Sequence, residues 1–147
     1  MHMISKEIQF DMGHRVPNHK SKCSNPHGHR YRVVAQAIGE LNQEEGCSSE
    51  GMVIDFGDLK TIMMNEIHDL YDHGFMAAEN DQWAVNAFTD TVFNFHVVPF
   101  IPTAENLAKH FFDLIEEALV DRGFGLTLLQ VAVFETPTSV ATFFREG

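Results

Sequence analysis

Cysteine is scarce in this 147-residue chain, which has only Cys23 and Cys47. So few cysteines argue against the class of small secreted domains that a disulfide framework holds together. Apolar runs are short as well, and none approaches the roughly 20 residues that a transmembrane helix requires. The N-terminus has no basic segment followed by a hydrophobic one, so we predict a cytoplasmic protein that does not bind membranes.

Positive charge is also in short supply, because 10 Lys and Arg residues stand against 21 Asp and Glu residues and the formal net charge is −11. This charge argues against general binding of nucleic acids or anionic membranes, whose affinity comes from clustered basic residues. Half of the basic residues nevertheless lie in one window without acidic residues, which favours a small anionic substrate over a merely solvated loop. These residues are Arg15, Lys20, Lys22, Arg30 and Arg32.

The hydrophobic content of 44% predicts one globular domain, residues 1–147. The strand and helix patterns described next predict that its fold belongs to the α+β class. Alternating apolar residues predict a strand that ends at His14, a second strand through 31–38 and a closing hairpin of 128–134 and 140–144. Apolar residues at three- and four-residue spacing predict helices over 58–71 and 104–122, the second capped by Thr103. The expected order is ββααββ, an antiparallel sheet with two helices on one face; residues 92–98 fit either a short strand or a packed loop.

Histidines at two strand ends predict a metal site. His27 and His29 flank Gly28, so on a strand both side chains project from one face. If the strands on either side of the 15–26 loop pair as a hairpin, the end of the first brings His14 beside them. Three imidazoles with a free fourth position are typical of a catalytic zinc site. Two interpretations of Cys23 remain open at this point, a fourth zinc ligand or a thiol beside the metal.

An ordered set of motifs gives the chain a resemblance to a known family along nearly its whole length. The chain resembles the 6-pyruvoyltetrahydropterin synthases, and within them the 6-carboxytetrahydropterin synthase branch. Each motif is weak alone, but the ordered set is specific. The motifs are Phe10-Asp11-Met12-Gly13-His14, Cys23 with His27-Gly28-His29, Met52 to Lys60, Asp72-His73, Pro102 to Asn106 and Phe134-Glu135-Thr136.

The resemblance implies the T-fold (tunnelling fold), a unit that assembles into a homohexamer made of two trimers with active sites at subunit interfaces. It also implies residue roles by matching position. The zinc ligands would be His14, His27 and His29, and the catalytic group would comprise Cys23, the Asp72-His73 pair and Glu135. Glu135 would also bind the pterin ring, with Thr103 and Glu105 as further substrate-binding residues.

The implied substrate is 7,8-dihydroneopterin triphosphate. The carboxy branch yields 6-carboxytetrahydropterin, acetaldehyde and triphosphate for queuosine and 7-deazaguanine synthesis, whereas the biopterin branch stops at 6-pyruvoyltetrahydropterin. Three residues separate Cys23 from His27, a short spacer associated with the carboxy branch. A folate-linked branch has glutamate in place of the cysteine.

One departure from the family pattern and two rival functions complete the predictions. Thirty positions separate His73 from Thr103, an insertion that bears on substrate specificity or on subunit contacts. The first rival is a non-catalytic zinc-binding assembly protein, in which Cys23 would be a structural ligand. The second is a T-fold cyclohydrolase or aldolase relative acting on another pterin or purine.

Overall fold

A long antiparallel hairpin organises the fold in the computed structural model, which describes residues 1–91 and 93–147. Its strands, β1 (His2–His14) and β2 (His27–Gly39), pair over their full lengths, so that His14 lies opposite His27. Alternation along β1 buries Ile8, Phe10 and Met12 on one face of the sheet. This face carries the core.

Four more strands complete a six-stranded sheet in the order β4-β3-β1-β2-β5-β6. They are β3 (Gly74–Ala78), β4 (Phe95–Val98), β5 (Thr127–Thr136) and β6 (Ser139–Phe144). Strands β1, β2, β5 and β6 pair antiparallel as predicted, but β3 runs parallel to β1 and β4 parallel to β3. The sheet is therefore mixed rather than wholly antiparallel. Strand β3 is almost entirely buried, so it lacks the apolar–polar alternation that identifies β1 in the sequence.

Two of the helices match the predicted ones. The first predicted helix is α1 (Phe56–Met63), which continues through a π-helical turn (Met64–His68) into the short α2 (Asp69–Tyr71). The second is α4 (Ala104–Asp121), where the predicted cap Thr103 accepts a hydrogen bond from the Asn106 backbone amide. Among the described residues, no helix is long and apolar enough to cross a membrane.

The segment between Tyr71 and Thr103 holds an additional helix that the sequence pattern did not predict. Helix α3 (Gln82–Phe88) follows β3, and Asp81 caps it by accepting a hydrogen bond from the Ala84 backbone amide. The ambiguity over residues 92–98 is resolved in favour of a strand for β4, while Val92 lies outside the described residues. With β3, α3 and β4, the order becomes ββααβαβαββ rather than ββααββ.

The π-helical turn changes which residue of the first helical segment faces the core. Leu59, before the turn, is fully buried, and a regular period of about 3.6 residues continued from it would place Leu70 on the inward face. A π turn holds one extra residue, so the inward position moves one residue along the chain. Tyr71 is accordingly 7% exposed and Leu70 45% exposed, which corrects the apolar stripe predicted from the sequence.

Paired alanine variants test this phase shift. Ile67→Ala should lower the free energy of unfolding by about 2–5 kcal/mol, because it removes buried methyl groups and leaves a cavity. Leu70→Ala on the same helical segment should cost less than about 1 kcal/mol, since the side chain is already half in water. Urea denaturation measures the free energy of unfolding of both variants. Equal losses of this free energy would contradict the conclusion that the π turn moves the inward position from Leu70 to Tyr71.

Candidate metal centre and active site

The β1–β2 register brings three histidines together at one end of the sheet. His14 ends β1 opposite His27, and Met12 lies opposite His29, so all three rings project from the core face. One nitrogen from each ring can be chosen so that all three lie within 4.8 Å of one another. The Nε2 atoms of His14 and His27 are 3.1 Å apart. The predicted hairpin therefore assembles the predicted triad.

Backbone carbonyls orient two of the rings. His14 Nδ1 lies 2.6 Å from the Pro102 carbonyl oxygen, and His27 Nδ1 lies 2.7 Å from the Asn25 carbonyl oxygen. A carbonyl oxygen only accepts, so each Nδ1 carries the donated proton and each neutral ring presents an Nε2 lone pair. This carbonyl-to-histidine arrangement is the one that fixes the tautomer of metal-binding histidines.

The donor set fits a divalent metal ion. Two Nε2 lone pairs that face each other at 3.1 Å repel, and a cation bound by both relieves that repulsion. Burial lowers the pKa of His14 to about 4, with His27 and His29 acting in the same direction and the Pro102 carbonyl opposing them. Burial and His27 also lower the pKa of His29. These shifts favour neutral imidazoles near pH 7, the form that binds metal.

The carboxylate of Glu135 lies beside the triad, with Oε1 4.0 Å from His14 Nε2. Glu135 sits where the β5–β6 register shifts, between Phe134 and Thr136, near the end of β5. Burial raises its pKa, and the nearby carboxylate of Glu105 raises it further, while His27 lowers it. Glu105 lies in the first turn of α4, directly after the Thr103 cap. The three residues implied to bind substrate thus come from one strand end and one helix start.

Tyr31 is a residue near the triad that the sequence analysis did not select. Its ring is fully buried, with centroids 6.0 Å from His14 and 5.6 Å from His29. Its hydroxyl is buried and has no hydrogen-bond partner among the described residues. The signal was available in the sequence, because Tyr31 continues the alternation of His27 and His29 along β2.

Cys23 lies in a short 3₁₀ turn (Lys22–Ser24) within the loop that links the two strands. The Val16 backbone amide donates a 2.8 Å hydrogen bond to the Cys23 carbonyl, and the side chain is partly buried. Among the described residues, the cluster able to hold a metal contains the three histidines without Cys23. The structure therefore does not add Cys23 to the three candidate ligands.

The predicted basic window is largely neutralised in the folded chain. Arg15 pairs with Asp81 at 2.6 Å, Arg30 with Asp11 at 3.1 Å and Arg32 with Glu7 at 2.9 Å. The two lysines of the window, at positions 20 and 22, are exposed and make no ion pair with a described residue. Only these lysines remain available to an anion without breaking an existing pair.

Asp72 and His73 form a pair at the edge of β1. His73 Nδ1 donates to Asp72 Oδ2 at 2.8 Å, and Asp72 Oδ1 accepts a 3.0 Å hydrogen bond from the Asp11 backbone amide. The Asp11 amide is the main cause of the lowered pKa of Asp72, and His73 adds to it. His73 has a positive φ and a side chain that is 78% exposed. Within the described part of the chain, no hydrogen bond or ion pair joins this pair to Cys23 or the triad.

A groove of about 440 Å³ is lined by His29 and Glu135 together with residues of the opposite sheet face, among them Arg30 and Arg32. Its volume falls within the range of small-ligand sites. A larger cavity of about 470 Å³ lies near Gly39, at the other end of β2 from His27 and roughly 40 Å away at strand spacing, so it is remote from these groups. The groove is lined by Gln9, Gly28, His29, Arg30, Arg32, Phe134, Glu135, Thr136 and Pro137.

Comparison with known sequences decides the family. The family model described as 6-pyruvoyl tetrahydropterin synthase matches residues 3–146. The chain belongs to the 6-pyruvoyl tetrahydropterin synthase family. A Haemophilus influenzae relative named 6-carboxy-5,6,7,8-tetrahydropterin synthase is 33% identical, with 97% of this chain and 99% of the relative covered. The resemblance inferred from the motifs is therefore confirmed.

Solved structures confirm the T-fold expected of this family. A Caenorhabditis elegans 6-pyruvoyl tetrahydropterin synthase superposes with a TM-score of 0.66 at 23% identity, covering 98% of this chain and 95% of that chain. An uncharacterized protein from Wolinella succinogenes superposes with a TM-score of 0.81, also at 23% identity, covering 99% of this chain and 98% of that chain. These likenesses confirm the predicted α+β fold. The sheet itself is mixed, whereas the sequence predicted an antiparallel one.

Substitution of single histidines tests the metal centre of this family member. His14→Ala, His27→Ala and His29→Ala should each reduce bound zinc from near one equivalent per chain to a small fraction, because two imidazoles bind weakly. Elemental analysis after dialysis against a zinc buffer measures the metal content. His2→Ala, at the exposed start of β1, is the matched control and should retain full zinc. Full zinc in the three triad variants would contradict this assignment.

Proposed function

We propose that this chain is a zinc-dependent 6-carboxy-5,6,7,8-tetrahydropterin synthase. It converts 7,8-dihydroneopterin triphosphate to 6-carboxytetrahydropterin, acetaldehyde and triphosphate, as a carbon–carbon lyase of queuosine and 7-deazaguanine biosynthesis. The observation that carries the proposal is the carbonyl-oriented histidine triad with Glu135 beside it, in a chain 33% identical to a relative of that name. The short spacer between Cys23 and His27 supports the carboxy branch.

Glu135 binds the pterin in this proposal. A carboxylate accepts two parallel hydrogen bonds from an aminopyrimidine edge, and Glu135 lines the groove next to the triad. The raised pKa of Glu135 fits a second role, because a carboxyl group with a raised pKa exchanges a proton more readily during the reaction. The nearby carboxylate of Glu105 contributes to this raised pKa of Glu135. The Thr103 cap holds the start of α4, so that Glu105 stays in position.

The triad would hold zinc, which would supply Lewis-acid polarisation of the substrate's side-chain hydroxyls. His14, His27 and His29 lie at the loop end of the hairpin, and His29 also lines the groove. Cys23 serves as the general base that removes a proton from the substrate side chain. Asp72 orients His73 through the 2.8 Å hydrogen bond and leaves Nε2 of that ring to exchange the proton.

We propose that Asp72 and His73 serve the site of a neighbouring subunit. His73 is exposed, and no described contact joins it to Cys23 of its own chain. A homohexamer with active sites at subunit interfaces would place the exposed imidazole of one copy against the cysteine loop of the next. Cytoplasmic location accords with a reduced Cys23.

The first test incubates zinc-loaded protein with 7,8-dihydroneopterin triphosphate and identifies the products by mass spectrometry. We expect 6-carboxytetrahydropterin together with acetaldehyde. Cys23→Ala should retain its fold and its zinc while turnover falls by at least about 100-fold, because a general base contributes roughly 10²–10⁴ in rate. Cys47→Ala is the matched control, since Cys47 lies in the 40–51 loop away from the triad.

The alternatives give distinct results in the same experiment. A 6-pyruvoyl product would assign the chain to the biopterin branch. Unchanged substrate, combined with loss of zinc in Cys23→Ala, would support the non-catalytic zinc-binding assembly protein instead. Unchanged substrate with zinc retained in that variant would point to another pterin or purine.

Mixing two inactive variants tests the shared site. Cys23→Ala and His73→Ala should each be inactive alone, but subunit exchange should restore about one quarter of wild-type activity. The reason is statistical, because in an equal mixture a quarter of the interfaces bring an intact cysteine loop to an intact His73. Steady-state turnover after dissociation and reassociation measures the recovery. A mixture of Cys23→Ala with Cys23→Ser should recover nothing, and absence of recovery in the first mixture would contradict the shared site.

A further inference from the structure

Asp81 is one of two polar side chains that are buried in the described part of the chain, the other being His14. Its carboxylate accepts two hydrogen bonds from Arg15, with Nε at 2.6 Å and Nη2 at 2.8 Å. This two-point pairing is the strong, directional form of a carboxylate–guanidinium contact. Arg15 lowers the pKa of Asp81, so the buried carboxylate is held as an anion.

Arg15 connects Asp81 to the loop that carries Cys23. Its third donor, Nη1, reaches the Ser24 carbonyl oxygen at 3.1 Å, immediately after Cys23. The adjacent Val16 amide donates to the Cys23 carbonyl at 2.8 Å. Two successive residues of the chain, Arg15 and Val16, thus hold the successive carbonyls of Ser24 and Cys23.

These contacts engage most of the Arg15 guanidinium within the protein itself. Nε and Nη2 are occupied by Asp81, Nη1 is occupied by Ser24, and the guanidinium lies 4.9 Å from the centre of the Trp83 ring. A guanidinium has five N–H donors, and three of those of Arg15, including the Nε–Nη2 fork, are used within the protein. Its contacts serve the protein rather than a ligand.

The inserted segment between His73 and Thr103 supplies the other side of this contact. Asp81 caps α3, and Trp83 lies in the first turn of that helix, so both belong to the segment in which the chain departs from the family pattern. We propose that Asp81 is a positioning residue: through Arg15, it fixes the loop that carries Cys23 relative to the metal centre. This inference rests on the proposed function for the role of Cys23, but the contact itself does not.

Two variants separate positioning from general stability. Asp81→Asn removes the charge that holds Arg15. Arg15→Lys retains a positive charge for Asp81 but lacks the guanidinium fork, so it cannot hold Asp81 and the Ser24 carbonyl together. Asp113→Asn is the matched control, because it removes the carboxylate of an exposed ion pair with Lys109 on α4. Asp81→Glu, which restores the charge, should recover part of any loss.

Kinetics give the first readout. Each of the two variants should lower kcat by roughly 10- to 100-fold, as small displacements of a reacting group do, while KM stays within about threefold of the wild-type value. Zinc content should equal that of the wild type. Unchanged kcat in both folded variants would overturn the proposal, and so would an equal loss in Asp113→Asn.

Alkylation of the thiol gives a readout that does not need turnover. In a Cys47→Ser background, the rate of Cys23 modification by iodoacetamide should rise roughly tenfold in both variants, because loss of a charge-assisted hydrogen bond increases opening of the loop. A rate equal to that of the background protein in either folded variant would overturn the proposal. A wild-type enzyme without turnover would refute the proposed function alone, since alkylation still tests the contact. If Asp81→Asn does not fold, Arg15→Lys alone decides.

Discussion

The register of the β1–β2 hairpin is the constraint on which the rest of the structure depends. Side chains alternate between the two faces of a sheet, so a slip of one residue would move every side chain of a strand to the opposite face. The observed register places His14, His27 and His29 on the core face. It simultaneously buries Phe10 and Tyr31 side by side, with ring centroids 5.5 Å apart. Core packing and metal geometry are therefore specified by the same pairing.

Backbone groups remote in sequence complete the candidate metal site. The Pro102 carbonyl that orients His14 comes from the segment that enters α4, and Glu105 lies a few residues further along the same helix start. One short stretch, residues 102–105, therefore contains three features of the site. They are the carbonyl that orients His14, the Thr103 helix cap and the Glu105 carboxylate near Glu135. Packing of α4 on the sheet, where Phe111 contacts Phe10, holds this stretch against the hairpin end.

The arginines around the site lie in ion pairs with acidic residues rather than in a patch of positive charge. The sequence window rich in Arg and Lys predicts a basic patch, yet its three arginines have acidic partners in the fold. Buried ions require such partners, because removing a charge from water is costly unless another charge and hydrogen bonds compensate. The Arg15–Asp81 pair meets this requirement and also joins the segment between His73 and Thr103 to the Cys23 loop. This segment, whose helix the sequence pattern did not predict, thus has a definite contact with the site region.

The sequence by itself determined the family, the hairpin, the first and last helices and the grouping of the three histidines. Those features depend on local periodicity and on spacing, which a strand or helix converts directly into position. Tertiary structure alone decided the parallel strands β3 and β4, helix α3 and the phase change before Tyr71. Each of these depends on contacts between distant segments: β3 is buried between neighbouring strands, and Asp81 meets Arg15 across 66 positions. No local pattern encodes such contacts, so only the folded chain specifies them.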